Sequence, residues 1–189
     1  MRRIRLGTSR RLIEVMRIRG VPVFAHWSLF LIGGVVLIGA RHDPGIALAI
    51  LSAYYGVILL HECGHMLAAQ QKRCCVQSIE LYPFWGFTRY DLPYSQRDHC
   101  VIAWGGVAAQ GLLALPIIGW VGAFGFTRFQ MLNAFFAIAG YYSLFVVAYN
   151  LLPFEPLDGA IAWKLLPSLF RRPTASSPRR EPGWRSWRS

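Results

Sequence analysis

The sequence predicts an all-α polytopic membrane protein: about four transmembrane helices, a short membrane-associated β segment, and a helix broken around a cluster of ionisable side chains. Three observations carry this expectation. The 189-residue chain is 54% hydrophobic and 15% charged, too apolar for a soluble domain of its size. Long stretches without formal charge recur at 21–40, 44–60, 101–126 and 129–152, and about twenty residues of helix match about 30 Å of hydrocarbon. The basic residues fall outside these stretches: seven arginines in the first twenty residues, four Lys or Arg in 72–99 and six after Phe170, against Arg41 and Arg128 alone in the other two loops. That asymmetry predicts cytoplasmic termini and a cytoplasmic 72–99 loop, as in a bacterial cell membrane, or the stromal or matrix face in an organelle. The net charge of +11 is thereby explained by membrane flanks, and no nucleic-acid recognition motif accompanies it.

Residues 1–20 read as a basic flank that sets orientation; a transit peptide, a twin-arginine signal at Ser9-Arg10-Arg11, and a true start at Met16 are the other readings. The domain proper is expected over 21–170. Its first span, 21–40, carries His26 beside Trp27 near its start, a position suited to an interfacial histidine more than to a catalytic one. The second span runs from about Gly45 to Gln71. Segment 79–90 mixes aromatic and β-branched residues around Pro83 and Gly86, which predicts short extended pieces with a turn. It reads equally as an aromatic interfacial loop or as an edge strand open to an extended peptide. The third span contains Gly105-Gly106, Gly111 and Pro116, so close helix approach and a kink or early end are expected. The fourth ends near Asn150, residues 161–167 are too short to cross and should lie at the membrane surface, and 171–189 should be a disordered basic tail. Cys63, Cys74, Cys75 and Cys100 have neither a disulfide-framework spacing nor a C-x-x-C metal spacing.

Within the second span lies His61-Glu62-Cys63-Gly64-His65, an H-E-x-x-H sequence. Histidines four apart on a helix lie about 40° apart around its axis, so both can reach one metal ion, and Glu62 flanks the pair as a proton acceptor. Ionisable groups at membrane depth are costly and mark function. A hydrolytic zinc site needs a third protein ligand. The stretch from Asn150 to Gly159 offers Glu155 and Asp158, and its two prolines and Gly159 break the fourth helix near the face where the second one ends. On chemical grounds either carboxylate could serve. Asp158, before a glycine, is the better placed, and Glu155 between prolines reads more as an interfacial group.

These two stretches together, His61-Glu62-x-x-His65 and Asn150-x-x-Pro153 followed by Leu157-Asp158-Gly159, resemble the signature of the site-2 protease family of intramembrane zinc metalloproteases, most of all its small bacterial-type members without a PDZ domain. Gly20-Val21-Pro22-Val23 through His26-Trp27 and Leu81-Tyr82-Pro83-Phe84-Trp85-Gly86 are similar to further family segments, so the resemblance covers about residues 17–165. It implies one zinc ion per chain on His61, His65 and Asp158, Glu62 as general base and acid, and Asn150 on the substrate backbone or developing oxyanion. Where the family often has Gly-Pro-x-x-Asn, this chain reads Gly106-Val107-Ala108-Ala109-Gln110, which leaves the role of Gln110 open. The implied activity is hydrolysis of peptide bonds in or next to transmembrane segments of membrane-protein substrates in the bilayer. The rivals are a membrane-anchored zinc peptidase cutting soluble substrates, a non-enzymatic metal-binding or transport protein, and a catalytically silent scaffold.

Overall fold

A computed structural model describes residues 12–166, so the tail at 171–189 and most of the basic flank lie outside the described residues. Strand β1 (Leu12–Ile18) turns through Arg19 and Gly20 into β2 (Val21–His26), and α1 (Ser28–Gly39) and α2 (Pro44–Gln71) follow. Next come β3 (Val76–Leu81), β4 (Gly86–Tyr90) and α3 (Gln96–Phe124). A last rod comprises α4 (Gln130–Phe136), a π-helical stretch (Ala137–Tyr142) and α5 (Ser143–Asn150), and a short α6 (Gly159–Ala162) ends the described chain.

Three helical rods are long and apolar enough to cross a bilayer: Pro44–Gln71, Gln96–Phe124 and Gln130–Asn150. The expected fourth, over 21–40, is divided. Its first part is β2, and α1 has 12 residues, about 18 Å of helix, too short to cross alone. The division follows from the residues: Val21-Pro22-Val23-Phe24-Ala25 is β-branched and aromatic around a proline, and its alternate residues Val21, Val23 and Ala25 are buried against Met66, Ile79 and Leu81. The all-α expectation is corrected accordingly, because a four-stranded sheet in the order β1-β2-β3-β4 stands beside the helices. Strands β1 and β2 form an antiparallel hairpin, β2 and β3 are parallel, and β3 and β4 are antiparallel. The β1–β2 turn has positive φ at both Arg19 and Gly20, the twist that tight hairpins favour. The segments expected at 79–90 are β3 and β4, and β4 lies at the open edge of the sheet.

Helix α2 starts on Asp43, whose Oδ1 accepts the Ile46 N–H at 3.1 Å, with Pro44 in the first turn. Helix α3 starts on Ser95, whose Oγ accepts the Asp98 N–H at 3.0 Å. It then runs through Pro116 without the early end that the proline suggested; in apolar surroundings neighbouring helices tolerate such a residue. Helices α2 and α3 are the most closely associated pair, because glycines face each other where they cross. A Cβ on Gly64 would strike the Gly105 carbonyl, and one on Gly105 would come within 2.6 Å of the Gly64 oxygen and 2.8 Å of Ala68 Cβ. Gly64 is next to His65 and three residues from His61, so the contact fixes the distance of both histidines from α3.

Candidate metal centre

His61, Glu62 and His65 are all buried in the second half of α2. His61 Nδ1 lies 2.9 Å from Gln110 Oε1 and His65 Nδ1 lies 2.8 Å from the Ile102 carbonyl oxygen, both on α3. A carbonyl oxygen only accepts, so each Nδ1 is the donor and each Nε2 carries a lone pair. Those two Nε2 atoms are 3.0 Å apart, and Asp158 Oδ2 is 2.9 Å from the first and 3.2 Å from the second.

Asp158 reaches this point because the chain after α5 is irregular but held. The Trp163 indole N–H donates to the Leu151 carbonyl at 2.5 Å, the Trp104 indole N–H to the Ala162 carbonyl at 3.1 Å and the Cys100 thiol to the Ile161 carbonyl at 3.2 Å. These bonds satisfy carbonyls near a helix end that would otherwise be orphaned. They also seat α6 on α3, so the 161–166 part of the segment expected at the membrane surface is docked by its start. Gly159 is required there, since a Cβ would run into the Leu151 carbonyl.

The donor set fits a metal ion. With both imidazoles neutral, three acceptor atoms converge on one point, and tetrahedral zinc with bonds of about 2.0–2.1 Å separates its ligand atoms by about 3.3 Å. His61, His65 and Asp158 are the group of donors that can share one ion among the described residues. Space is left for it as well: a Cβ on Gly106 would sit 2.6 Å from His65 Nε2 and 2.8 Å from His61 Nε2, so the missing side chain keeps open the place toward which both point.

Glu62 stands beside this trio. Thr88 Oγ1 on β4 is 2.8 Å from Glu62 Oε2 and 3.0 Å from its backbone oxygen, which fixes the carboxylate. Gly86 lets β4 come this near, for a Cβ there would strike the Glu62 side chain. In β4 the residues Gly86, Thr88 and Tyr90 alternate onto one face and line the cavity with the metal-binding trio. The cavity encloses about 1300 Å³ between the sheet edge, α2, α3, α5 and the 152–158 linker. Besides the two histidines and several tyrosines it is lined by the carboxylates of Glu62, Glu155 and Asp158 and by neither lysine nor arginine, as suits a cation. Burial pushes the Tyr90 phenol up to about 12, with Asp158, Cys74 and Glu62 nearby adding to the effect, so it is neutral.

Asn150, at the end of α5, lines the same cavity and makes no side-chain hydrogen bond among the described residues. Glu155 lines it too, exposed and outside the trio. His26 is elsewhere: its Nδ1 is 2.6 Å from Ser28 Oγ and its ring stacks on Tyr82 at 5.2 Å, which makes it an anchor of the sheet. Sequence reasoning missed Thr88, Gly106 and the bond from Gln110 to His61. The period-2 alternation in 86–90 was the available signal for Thr88.

No family model matches the chain, and no curated protein matches it. A search of solved structures finds the site-2 protease from Methanocaldococcus jannaschii, with a TM-score of 0.64 over 84% of this chain and 73% of that one, at 19% identity. The chain thus has the fold of a site-2 protease, and in that fold the two halves of its H-E-x-x-H and Leu-Asp-Gly signature meet at one point.

Proposed function

We propose that the chain is an intramembrane zinc metalloprotease of the site-2 protease family, hydrolysing peptide bonds in or next to transmembrane segments of membrane-protein substrates. The observation that carries this is the convergence of His61 Nε2, His65 Nε2 and Asp158 Oδ2 within 3.2 Å of one another beside a buried glutamate. Those three residues would hold one zinc ion. Bound there, zinc supplies a Lewis acid and brings the pKa of water towards about 7. Glu62, fixed by Thr88, takes the proton of the attacking water and passes it to the leaving amine. Asn150 donates its free amide to the substrate carbonyl oxygen as charge develops there.

A substrate helix hides its carbonyls in its own hydrogen bonds, so it must unwind before attack. The open edge of β4 offers backbone partners in exchange, next to Glu62 and the trio. In this reading the protein is a multi-pass protein of a bacterial cell membrane with both termini cytoplasmic.

The test is cleavage of a transmembrane substrate in proteoliposomes, with the cut site mapped by mass spectrometry. Substrates come from native membranes, captured on the Glu62→Gln form. A cut within or beside the apolar segment, abolished by Glu62→Gln, is the expected result. Cuts only in soluble peptides would favour a membrane-anchored peptidase, and metal transport without any cleavage would overturn the protease reading.

A further inference from the structure

We infer that Gln110 is a positioning residue for the metal centre, setting which nitrogen of His61 binds zinc; this rests on the zinc-site reading above. The side chain lies on α3 one turn beyond Gly106 and is fully buried. Its Oε1 is 2.9 Å from His61 Nδ1. Its Nε2 has no hydrogen-bond partner among the described residues.

An unsatisfied amide N–H in such a place costs about 1–3 kcal/mol, which an apolar side chain of the same shape would avoid. The chain accepts that cost where the acceptor half of the amide does something an apolar side chain cannot. His65 obtains its acceptor from the backbone, at Ile102 O, whereas His61 obtains it from a side chain. Without Gln110 the proton of His61 is free to move to Nε2, where it occupies the lone pair that faces His65 and Asp158. The reversed amide would donate to Nδ1 and force that wrong tautomer.

The choice of Gln over Glu has a reason in charge. Asp158 and Glu62 already match the two positive charges of a zinc ion, so a neutral acceptor behind His61 keeps the buried site balanced in a low-dielectric medium. The residue is also one methylene longer than the Asn that often stands at this place in the family signature. That length lets the amide reach Nδ1.

The experiment measures zinc affinity by chelator competition on the purified full chain in detergent, for the unsubstituted protein, Gln110→Leu, Gln110→Asn and Gln110→Glu. Loss of an outer partner of a ligating histidine weakens metal binding by about 10–100-fold. That is the expected fall for Leu and for the shorter Asn, while Glu, which keeps an acceptor of the same length, binds within about threefold of the unsubstituted protein or tighter. Rescue by Glu separates positioning from packing, since Leu fills the site as well as Glu does. Leu binding zinc as the unsubstituted protein does, or Glu losing tenfold or more, overturns the inference and leaves the protease reading standing. An unsubstituted chain that takes up no zinc overturns both.

Discussion

Gly106 has a hydrogen where any other residue would place a carbon 2.6 Å from His65 Nε2 and 2.8 Å from His61 Nε2, a direct consequence of how tightly α3 backs the two imidazoles. Gly106→Ala should therefore cut zinc affinity at least tenfold with the fold retained, measured by chelator competition and circular dichroism; unchanged affinity would place the ion elsewhere. Glu62 and Asp158 divide the chemistry differently. Glu62→Gln should abolish cleavage and keep zinc, because the residue is outside the trio, whereas Asp158→Ala should lose both, and full activity in Glu62→Gln would remove the hydrolase reading. Between them stands Thr88. Replacing it by Val frees the Glu62 carboxylate, and kcat should fall about tenfold at unchanged zinc content, a loss near 1.4 kcal/mol of transition-state stabilisation. At this scale the sequence was legible where helical spacing speaks. His61, Glu62 and His65 follow from a four-residue repeat, but Asp158 and Glu155 are three apart on a loop and both line the cavity; the sequence favours Asp158 only through the glycine after it and the resemblance, and the fold singles it out by bringing its Oδ2 to 2.9 and 3.2 Å from the two Nε2 atoms. The partnership of Gln110 with His61 spans 49 positions and has no local signal at all.

Elements were read well when one period governed them and poorly when two shared a stretch. Helix α2 was expected at 45–71 and occupies Pro44–Gln71, since its apolar run, proline start and Asp43 cap agree. The 21–40 run is as apolar as a span, and hydropathy alone does not reveal that its first six residues alternate between faces and pair with β3, a partner more than fifty positions away. Strand β1 was hidden by the arginines around it, and the π-helical stretch inside the last rod has no sequence signal beyond Gly140, which packs against Ile117. The α2–α3 crossing is the element contact on which the site depends. Helices in a bilayer gain little from hydrophobicity and associate through close backbone approach, here at Gly64 and Gly105. Gly64→Leu should destabilise the protein by about 1–3 kcal/mol through overpacking and, by moving His61 and His65 off Gln110 and Ile102, lower zinc content as well. Thermal unfolding in detergent together with metal analysis checks both effects. Gly56→Leu, on the same helix with open space around its Cβ position, is the control and should change neither.

Across the whole molecule the end of α2, the sheet, the start of α3 and the 151–158 linker gather on one side, and this follows from connectivity. The segment between Gln71 and Gln96 must join the ends of two long antiparallel rods, and Lys72 to Asp98, 2.9 Å apart, ties those ends together. The centre therefore lies on the side that holds the 72–99 loop, which the proposed topology makes cytoplasmic. For the proposed protease that topology has a consequence: water would reach Glu62 from that face, and a substrate span would be cut near its cytoplasmic end, where lysines and arginines flank it. Cys75, exposed in the turn after α2, is a native reporter of the arrangement. An impermeant maleimide should label Cys75 in inverted vesicles and leave it unlabelled in right-side-out ones. Asp43→Cys in a Cys75→Ser background, at the opposite end of α2, should give the reverse pattern. Labelling of Cys75 from outside would invert the topology, and the site would then draw its water, and the flank of its substrate, from the other face of the membrane.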